Sequence, residues 1–308
     1  SHSSAKTASS ILSSSISMNP RYHARRSKSC GPARMDTDYL LPLEDGDANI
    51  NQALKPIPAK SNAFSTDIVP CHPRLSLIED RLSQAWSDLR GSDEKRGFRI
   101  SNWVSQLLEK AEGEYDLVVF DVGPSLGALN RTILLSSDYV ITPFGSDIFS
   151  LIGIENISTW ITEWSEDYRT AIQNLDKKFP DTFNKFVGVT DIDSKFRLAG
   201  YSVQQYVTKT FKTGKRPVKA YDEIMKNIPE TVQEKMGKFF PAAMNIEDLS
   251  LGHIPFLYSL VPLAQSNRVT IHALTDTKKV TGAQVGQVEN YSSTMELFCT
   301  KLIENIGL

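Results

Sequence analysis

A chain of 308 residues, 40% hydrophobic and 23% charged, is long enough to bury a large core as one large α/β domain or two small ones, and its composition is globular rather than fibrous. A formal net charge of −2 excludes a global pull toward nucleic acid or acidic lipid, so any such binding must come from a local patch. Three scattered cysteines, Cys30, Cys71 and Cys299, without C-x-x-C spacing, point away from a disulfide framework or zinc site and fit a reducing cytoplasm, and no apolar stretch approaches a membrane span.

Residues 1–34 stand apart. Serine dominates up to Ser17, then Pro20, Arg21, Arg25, Arg26, Lys28 and Pro32 follow with no helical or strand period, a composition expected of disorder. From Met35 to about Ala63 the chain reads as polar loop, with Asn49 to Leu54 a candidate short helix. Asp67-Ile68-Val69-Pro70 reads as a short strand. Helical spacing follows over Leu75 to Leu89, through Leu75, Ile78, Leu82 and Trp86, and again over Ile100 to Ala111, with Trp103, Val104, Leu107 and Leu108 on one face.

Tyr115 to Asn130 then reads Y-D-L-V-V-F-D-V-G-P-S-L-G-A-L-N. Leu117 to Phe120 has no period-2 alternation, which suits a strand covered on both faces, as in a parallel sheet flanked by helices. Such a strand delivers Asp121 to the sheet's carboxyl edge, where ligands of open α/β folds bind. A carboxylate there, followed by a turn rich in glycine, suits a Mg²⁺-phosphate site. The alternative is a buried strand whose terminal Asp caps the next helix.

A helix from about Leu126 to Leu135 and a strand over Tyr139 to Thr142, stopped by Pro143, complete a βαβ unit. A long helix over Ser150 to Leu175 follows, with Ile154, Ile157, Ile161 and Trp164 as its stripe. Phe186 to Val189 is a further strand candidate. Helices are expected over Val203 to Lys209, Lys219 to Asn227, Glu230 to Phe240 and, amphipathic and closing, Tyr291 to Ile306. That last helix carries a single lysine, Lys301, beside Glu296 and Glu304, so it reads as docked on the domain rather than lying on a membrane. Asp191-Ile192-Asp193-Ser194 resembles the start of a Ca²⁺ loop but lacks that motif's Gly and closing Glu, and reads as a turn.

The strongest local basic cluster is Lys209-Thr210-Phe211-Lys212-Thr213-Gly214-Lys215-Arg216-Pro217-Val218-Lys219. Its spacing suits duplex phosphates met without sequence preference; a solvated loop and helix start explains it equally well.

Asp116 to Asn130, then Asp138-Tyr139-Val140-Ile141-Thr142-Pro143 and Phe149-Ser150-Leu151-Ile152-Gly153-Ile154, together resemble the ParA/MinD family of deviant Walker ATPases, in its partition (ParA/Soj) branch. The pattern is a strand, D-x-x-P-S-L, a helix beginning near an Asn, a strand ending in Pro, and a helix opening S-L-x-G. Further similarity lies at Asp67 to Glu79, Gly200 to Tyr206, Lys219 to Tyr221 and Leu251 to Gln265.

The resemblance implies a doubly wound, mostly parallel sheet flanked by helices, with residues 1–34 as a degenerate phosphate-loop region and 35–308 as one ATPase domain. It further implies ATP·Mg²⁺ binding and hydrolysis, a nucleotide-dependent homodimer, non-specific DNA binding, a ParB-like centromere-binding partner, and a cytoplasmic, nucleoid-associated protein without membrane attachment. Asp121 is then the carboxylate that holds Mg²⁺ through water, and Gly123 and Pro124 belong to the switch that senses the γ-phosphate. Lys6 corresponds to the phosphate-binding, catalytic lysine and Thr7 to the Mg²⁺-binding hydroxyl. Asp36 and Asp38 correspond to the aspartates that position the attacking water, Gln205 lies near the base, and Lys209, Lys212, Lys215, Arg216 and Lys219 are the DNA-binding set.

The chain departs from the family at the phosphate loop, where the signature lysine falls on Ser1 and the glycines on His2, Ser3 and Ala5; a Cβ at those positions opposes close phosphate approach. Suitable codons for Gly31-Pro32-Ala33-Arg34, read one base later, encode Val-Leu-Leu-Val, the kind of strand missing before Asp36. Sequencing the gene tests that reading. The rival function is a ParA-like interaction module without nucleotide turnover.

Overall fold

The computed structural model describes residues 6–11, 39–51, 55–70, 77–123, 125–206, 208–211, 214–217 and 219–308, with only the backbone at 6–11, 92 and within 205–223. The strands are β1 (Lys6–Ile11), β2 (Leu117–Val122), β3 (Tyr139–Gly145), β4 (Arg197–Tyr206), β5 (Thr208–Phe211), β6 (Gly214–Pro217) and β7 (Ser250–Pro255). The α-helices are α1 (Leu41–Glu44), α2 (Glu79–Ser87), α3 (Glu94–Ser101), α4 (Trp103–Ala111), α5 (Ala128–Ser136), α6 (Ile148–Lys178), α7 (Thr182–Lys185), α8 (Lys219–Met236), α9 (Leu260–Asn267) and α10 (Ala283–Ile306).

Five strands form one parallel sheet in the order β2-β1-β3-β4-β7. The chain steps from β1 to β2 on one side and then to β3 on the other, so the winding reverses between β1 and β3, the place where doubly wound sheets bind ligands. Neighbouring residues on one strand face opposite sides, and the packing follows that rule. Leu198 joins Val140, Val203, Ile154, Ile161, Ile228 and Val232 against α6 and α8, while Ala199 joins Ile141, Leu251 and Ile306 with Phe298 and Leu302 of α10. Both faces are covered at β3 and β4, whereas β2, expected to be covered on both faces, leaves Val119 57% exposed at the sheet's edge.

Several expectations are corrected. Lys6–Ile11 pairs with both β2 and β3, so the sheet draws a strand from residues that the sequence assigns outside the 35–308 domain. The third strand lies over Arg197–Tyr206 rather than 186–189, because Val189 is buried against α6 instead of joining the sheet. Gly200 within β4 looks like a turn residue, yet a Cβ there would come within 2.5 Å of Leu251 Cγ on the adjoining strand. The helix expected over 203–209 is therefore the end of β4 and the start of β5. The two helices expected to break near Pro229 are one, α8, since Ile228, Val232 and Met236 form a fully buried stripe that outweighs the proline's missing N–H. Of the short helix expected at 49–54, residues 49–51 are not helical and 52–54 lie outside the described residues, while α1 precedes it.

The turn over Asp191 to Ser194 is borne out: a short 3₁₀ turn in which Asp191 accepts from Asp193 N at 3.1 Å. Behind the sheet, Tyr168 of α6 is wholly buried; its hydroxyl donates toward Val189 O at 2.8 Å and accepts from Asn102 Nδ2 at 2.9 Å. Burial pushes its pKa well above the ordinary tyrosine value. Tyr168→Phe orphans buried polar groups and is expected to lower stability by about 1–3 kcal/mol, read by urea denaturation.

Candidate functional site

The carboxyl edge is built by registered strand ends: Ser10 opposite Asp121, Ile11 opposite Val122, and Gly145 opposite Gln204. Asp121 is exposed, yet nearby protein partly desolvates its carboxyl and raises its pKa above the ordinary value. No cation or donor among the described residues partners it. That combination argues against the capping alternative: α5 has Gly127 at its N-cap and no side-chain cap from its own segment.

The cap comes from elsewhere. Glu79, the first residue of α2, accepts from Ala128 N through Oε1 and from Leu129 N through Oε2, the latter at 3.0 Å. This satisfies donors that a helix start leaves open and places negative charge at the positive end of the helix. Gly127 makes the approach feasible, since a Cβ there would lie 2.8 Å from Glu79 Cδ and nearer still to Oε1.

From inside α5, the buried Asn130 donates to Gly123 O at 2.7 Å and Ser125 O at 2.6 Å, so the segment after Asp121 is tied to the helix that follows it. One residue on, the Arg131 guanidinium lies over Trp86 of α2 at 4.4 Å and near Trp164 of α6 at 5.7 Å, and burial lowers its pKa. At the next strand end, Asp147 caps α6 by accepting from Ser150 N at 3.0 Å.

Three expected site residues stand at this edge: Asp121 near the end of β2, Gly123 just after it, and Gln205 by its backbone position near the end of β4. Asp36, Asp38 and Pro124 lie outside the described residues. Lys6 and Thr7 do not converge. They pair with Leu117 and Val118 at the amino end of the sheet, while Asp121 pairs with Ser10. At about 3.3 Å per residue, Lys6 stands some 13 Å and Thr7 some 10 Å along β1 from that partner. They are strand residues of β1, at the opposite end of the sheet from Asp121.

The basic cluster is also re-shaped. Thr208–Phe211 and Gly214–Pro217 form an antiparallel two-stranded ribbon apart from the main sheet, with Lys209 paired to Arg216 and Thr210 to Lys215. Lys219 opens α8, and Lys212 is outside the described residues. Sequence reasoning missed Glu79 and Asn130, although both stand inside quoted motifs. The spacing from Asp121 to Asn130 was the available signal.

Residues 34–174 match the family model AAA_31, described as an AAA domain. The chain is 33% identical over 98 residues to the virulence plasmid ParA family protein pGP5-D of Chlamydia psittaci, covering 32% of this chain and 33% of that protein. It is 27% identical over 141 residues to the probable plasmid-partitioning protein ParA of Thermus thermophilus, covering 46% of this chain and 38% of that one. The crystal structure of protein DIP2308 from Corynebacterium diphtheriae matches with TM-score 0.56 and 28% identity over 72% of this chain and 70% of that one. The chain spans under half the length of the curated relatives it matches, 44%, 40%, 33% and 38% for four of them. No described helix is long and apolar enough to cross a membrane. The family-model match over residues 34–174, which takes in β2 and Asp121, and the ParA-family proteins among the relatives together support a ParA/MinD-type P-loop ATPase.

Proposed function

We propose that the chain binds Mg²⁺·ATP at the carboxyl edge of β2, β1 and β3 and acts in DNA partition or positioning as a nucleotide-dependent homodimer. The carrying observation is Asp121, a carboxylate without a partner among the described residues, delivered next to the point where the winding reverses. Its surroundings fit Mg²⁺, which takes one or two carboxylates and leaves its other positions to water and phosphate. No cluster of three or more His, Cys, Asp or Glu among the described residues offers a competing all-protein cage. Bound there, the ion would neutralise phosphate charge.

Around it the chain's own groups position and exclude. Asp121 would hold the ion, Gly123 and Pro124 would belong to the segment that senses the terminal phosphate, and Gln205 would lie toward the base. Asp36 and Asp38 orient the attacking water, in a chemistry carried by positioning and charge neutralisation. Lys6 and Thr7 have no part in it. One feature favours the rival, a ParA-like interaction module without turnover: residues 1–30 contain no glycine, so the segment after β1 keeps a Cβ wherever a phosphate would approach its backbone. Measured Mg²⁺·ATP binding separates the two.

For DNA, the ribbon of β5 and β6 supports the reading, because a two-stranded ribbon fits the major groove and this one carries Lys209, Lys215 and Arg216. A ParB-like protein is the proposed partner that acts on the DNA-bound form. Reversing Lys215 and Arg216 to Glu is expected to weaken binding to random duplex by roughly 10- to 100-fold near 0.1 M salt. The slope of log K against log salt should become shallower by about 2. Unchanged affinity and slope would remove the ribbon from the interface.

A further inference from the structure

We propose that Asn130, anchored through Glu79, is the positioning residue that holds the carbonyls of Gly123 and Ser125 and so fixes where the carboxylate of Asp121 is presented. The inference rests in part on the reading that Asp121 holds Mg²⁺, but its structural half stands alone.

Asn130 offers two donors, and both go to carbonyls of the segment that immediately follows β2, Gly123 O at 2.7 Å and Ser125 O at 2.6 Å. Pro124 restricts the sequence locally, but Gly123 and Gly127 on either side of it leave the path of the segment to be set by contacts. The restraint has to come from α5, and α5 in turn must be fixed against the body of the protein. Glu79 does this at the helix start by accepting from Ala128 N and Leu129 N across a sequence separation of 49 and 50 residues. Arg131, between Trp86 of α2 and Trp164 of α6, fixes the same helix one residue beyond Asn130.

The three contacts therefore tie the loop after Asp121 to α2 and α6 through α5. A ligand that pulls on Gly123 must either work against Asn130 or move α5 with it. Such a link converts a local phosphate contact into displacement of an element that packs on two neighbours.

Asn130→Asp exchanges both donors for a carboxylate facing two carbonyl oxygens, and Asn130→Ala deletes them without adding charge. On the full chain, hydrogen–deuterium exchange of residues 123–129 should accelerate roughly 10-fold in both variants, with α10 unchanged. The Mg²⁺ concentration for half-saturation at fixed nucleotide should rise about 10-fold, with Mg²⁺-free nucleotide affinity unaltered. Exchange unchanged in residues 123–129, or accelerated to the same degree in α10 in both variants, overturns the proposal. Should the wild-type chain bind no Mg²⁺·nucleotide, the nucleotide reading fails on that result, and the exchange measurement still decides whether Asn130 positions the loop. Glu79→Gln, which retains one acceptor, should loosen residues 128–129 by less than either Asn130 variant loosens 123–127; a larger effect across the whole segment would put the control in Glu79 and overturn the assignment to Asn130.

Discussion

Asp121→Asn will weaken Mg²⁺-dependent nucleotide binding roughly 100-fold and, in the ligand-free protein at neutral pH, will raise the melting temperature. The two effects have one cause. Surrounding protein desolvates the Asp121 carboxyl without supplying a cation or donor among the described residues, so its pKa lies above the ordinary 3.8. A carboxylate whose folded pKa is raised contributes stability below the unfolded value, and that stability is lost as pH rises through the folded value. Asn carries no charge to desolvate, so the variant gains on the wild type as pH rises from about 3.8 upward and keeps the gain at neutrality. Thermal melts at several pH values, with and without Mg²⁺·nucleotide, check both halves. Equal or lower stability at pH 7 with an unchanged pH profile would show that Asp121 is already compensated.

Gly97→Ala is expected to destabilise the protein by about 2–3 kcal/mol, lowering the melting temperature by roughly 5–10 °C. Helix propensity alone predicts the opposite, since Ala within a helix is favoured over Gly by about 1 kcal/mol. Packing decides the sign. A Cβ on Gly97 would lie 2.6 Å from Leu89 Cα and 2.7 Å from Ala85 O, and closer still to Leu89 N. All three are backbone atoms, in α2 and in the π turn Asp88–Ser92 that follows it, and none can rotate away. The strain therefore falls on α2, the helix that presents Glu79 to α5. Denaturant melts measure the stability; a variant as stable as the wild type, or more so, would mean that α3 can slide on α2 without cost.

The sequence made β2, α5 and β3 legible because each is a contiguous run whose pattern survives without its neighbours. Val118 to Phe120 is apolar throughout, and Tyr139 to Thr142 is β-branched or aromatic. β1 was not legible, because K-T-A-S-S-I has no apolar run and becomes a strand only by pairing on both sides. That misplaced Lys6 and Thr7 by a whole element. β4 was hidden by Gly200 and Ser202, small because Leu251 occupies the space beside the first of them. The Glu79 contact with α5 spans about fifty residues and has no local signature. Asp121 and Gly123, which the resemblance names, stand at the carboxyl end of β2, one strand from the place where the winding reverses.

The central claim is that this edge takes Mg²⁺·ATP although no glycine occurs in residues 1–30. Isothermal titration of the full chain with ATP, with and without Mg²⁺ and with Asp121→Asn in parallel, tests it most directly. The expected result is saturable, Mg²⁺-dependent binding that Asp121→Asn weakens roughly 100-fold. No heat of binding from the wild-type chain at millimolar Mg²⁺·ATP would contradict it and leave the interaction module as the function of this fold.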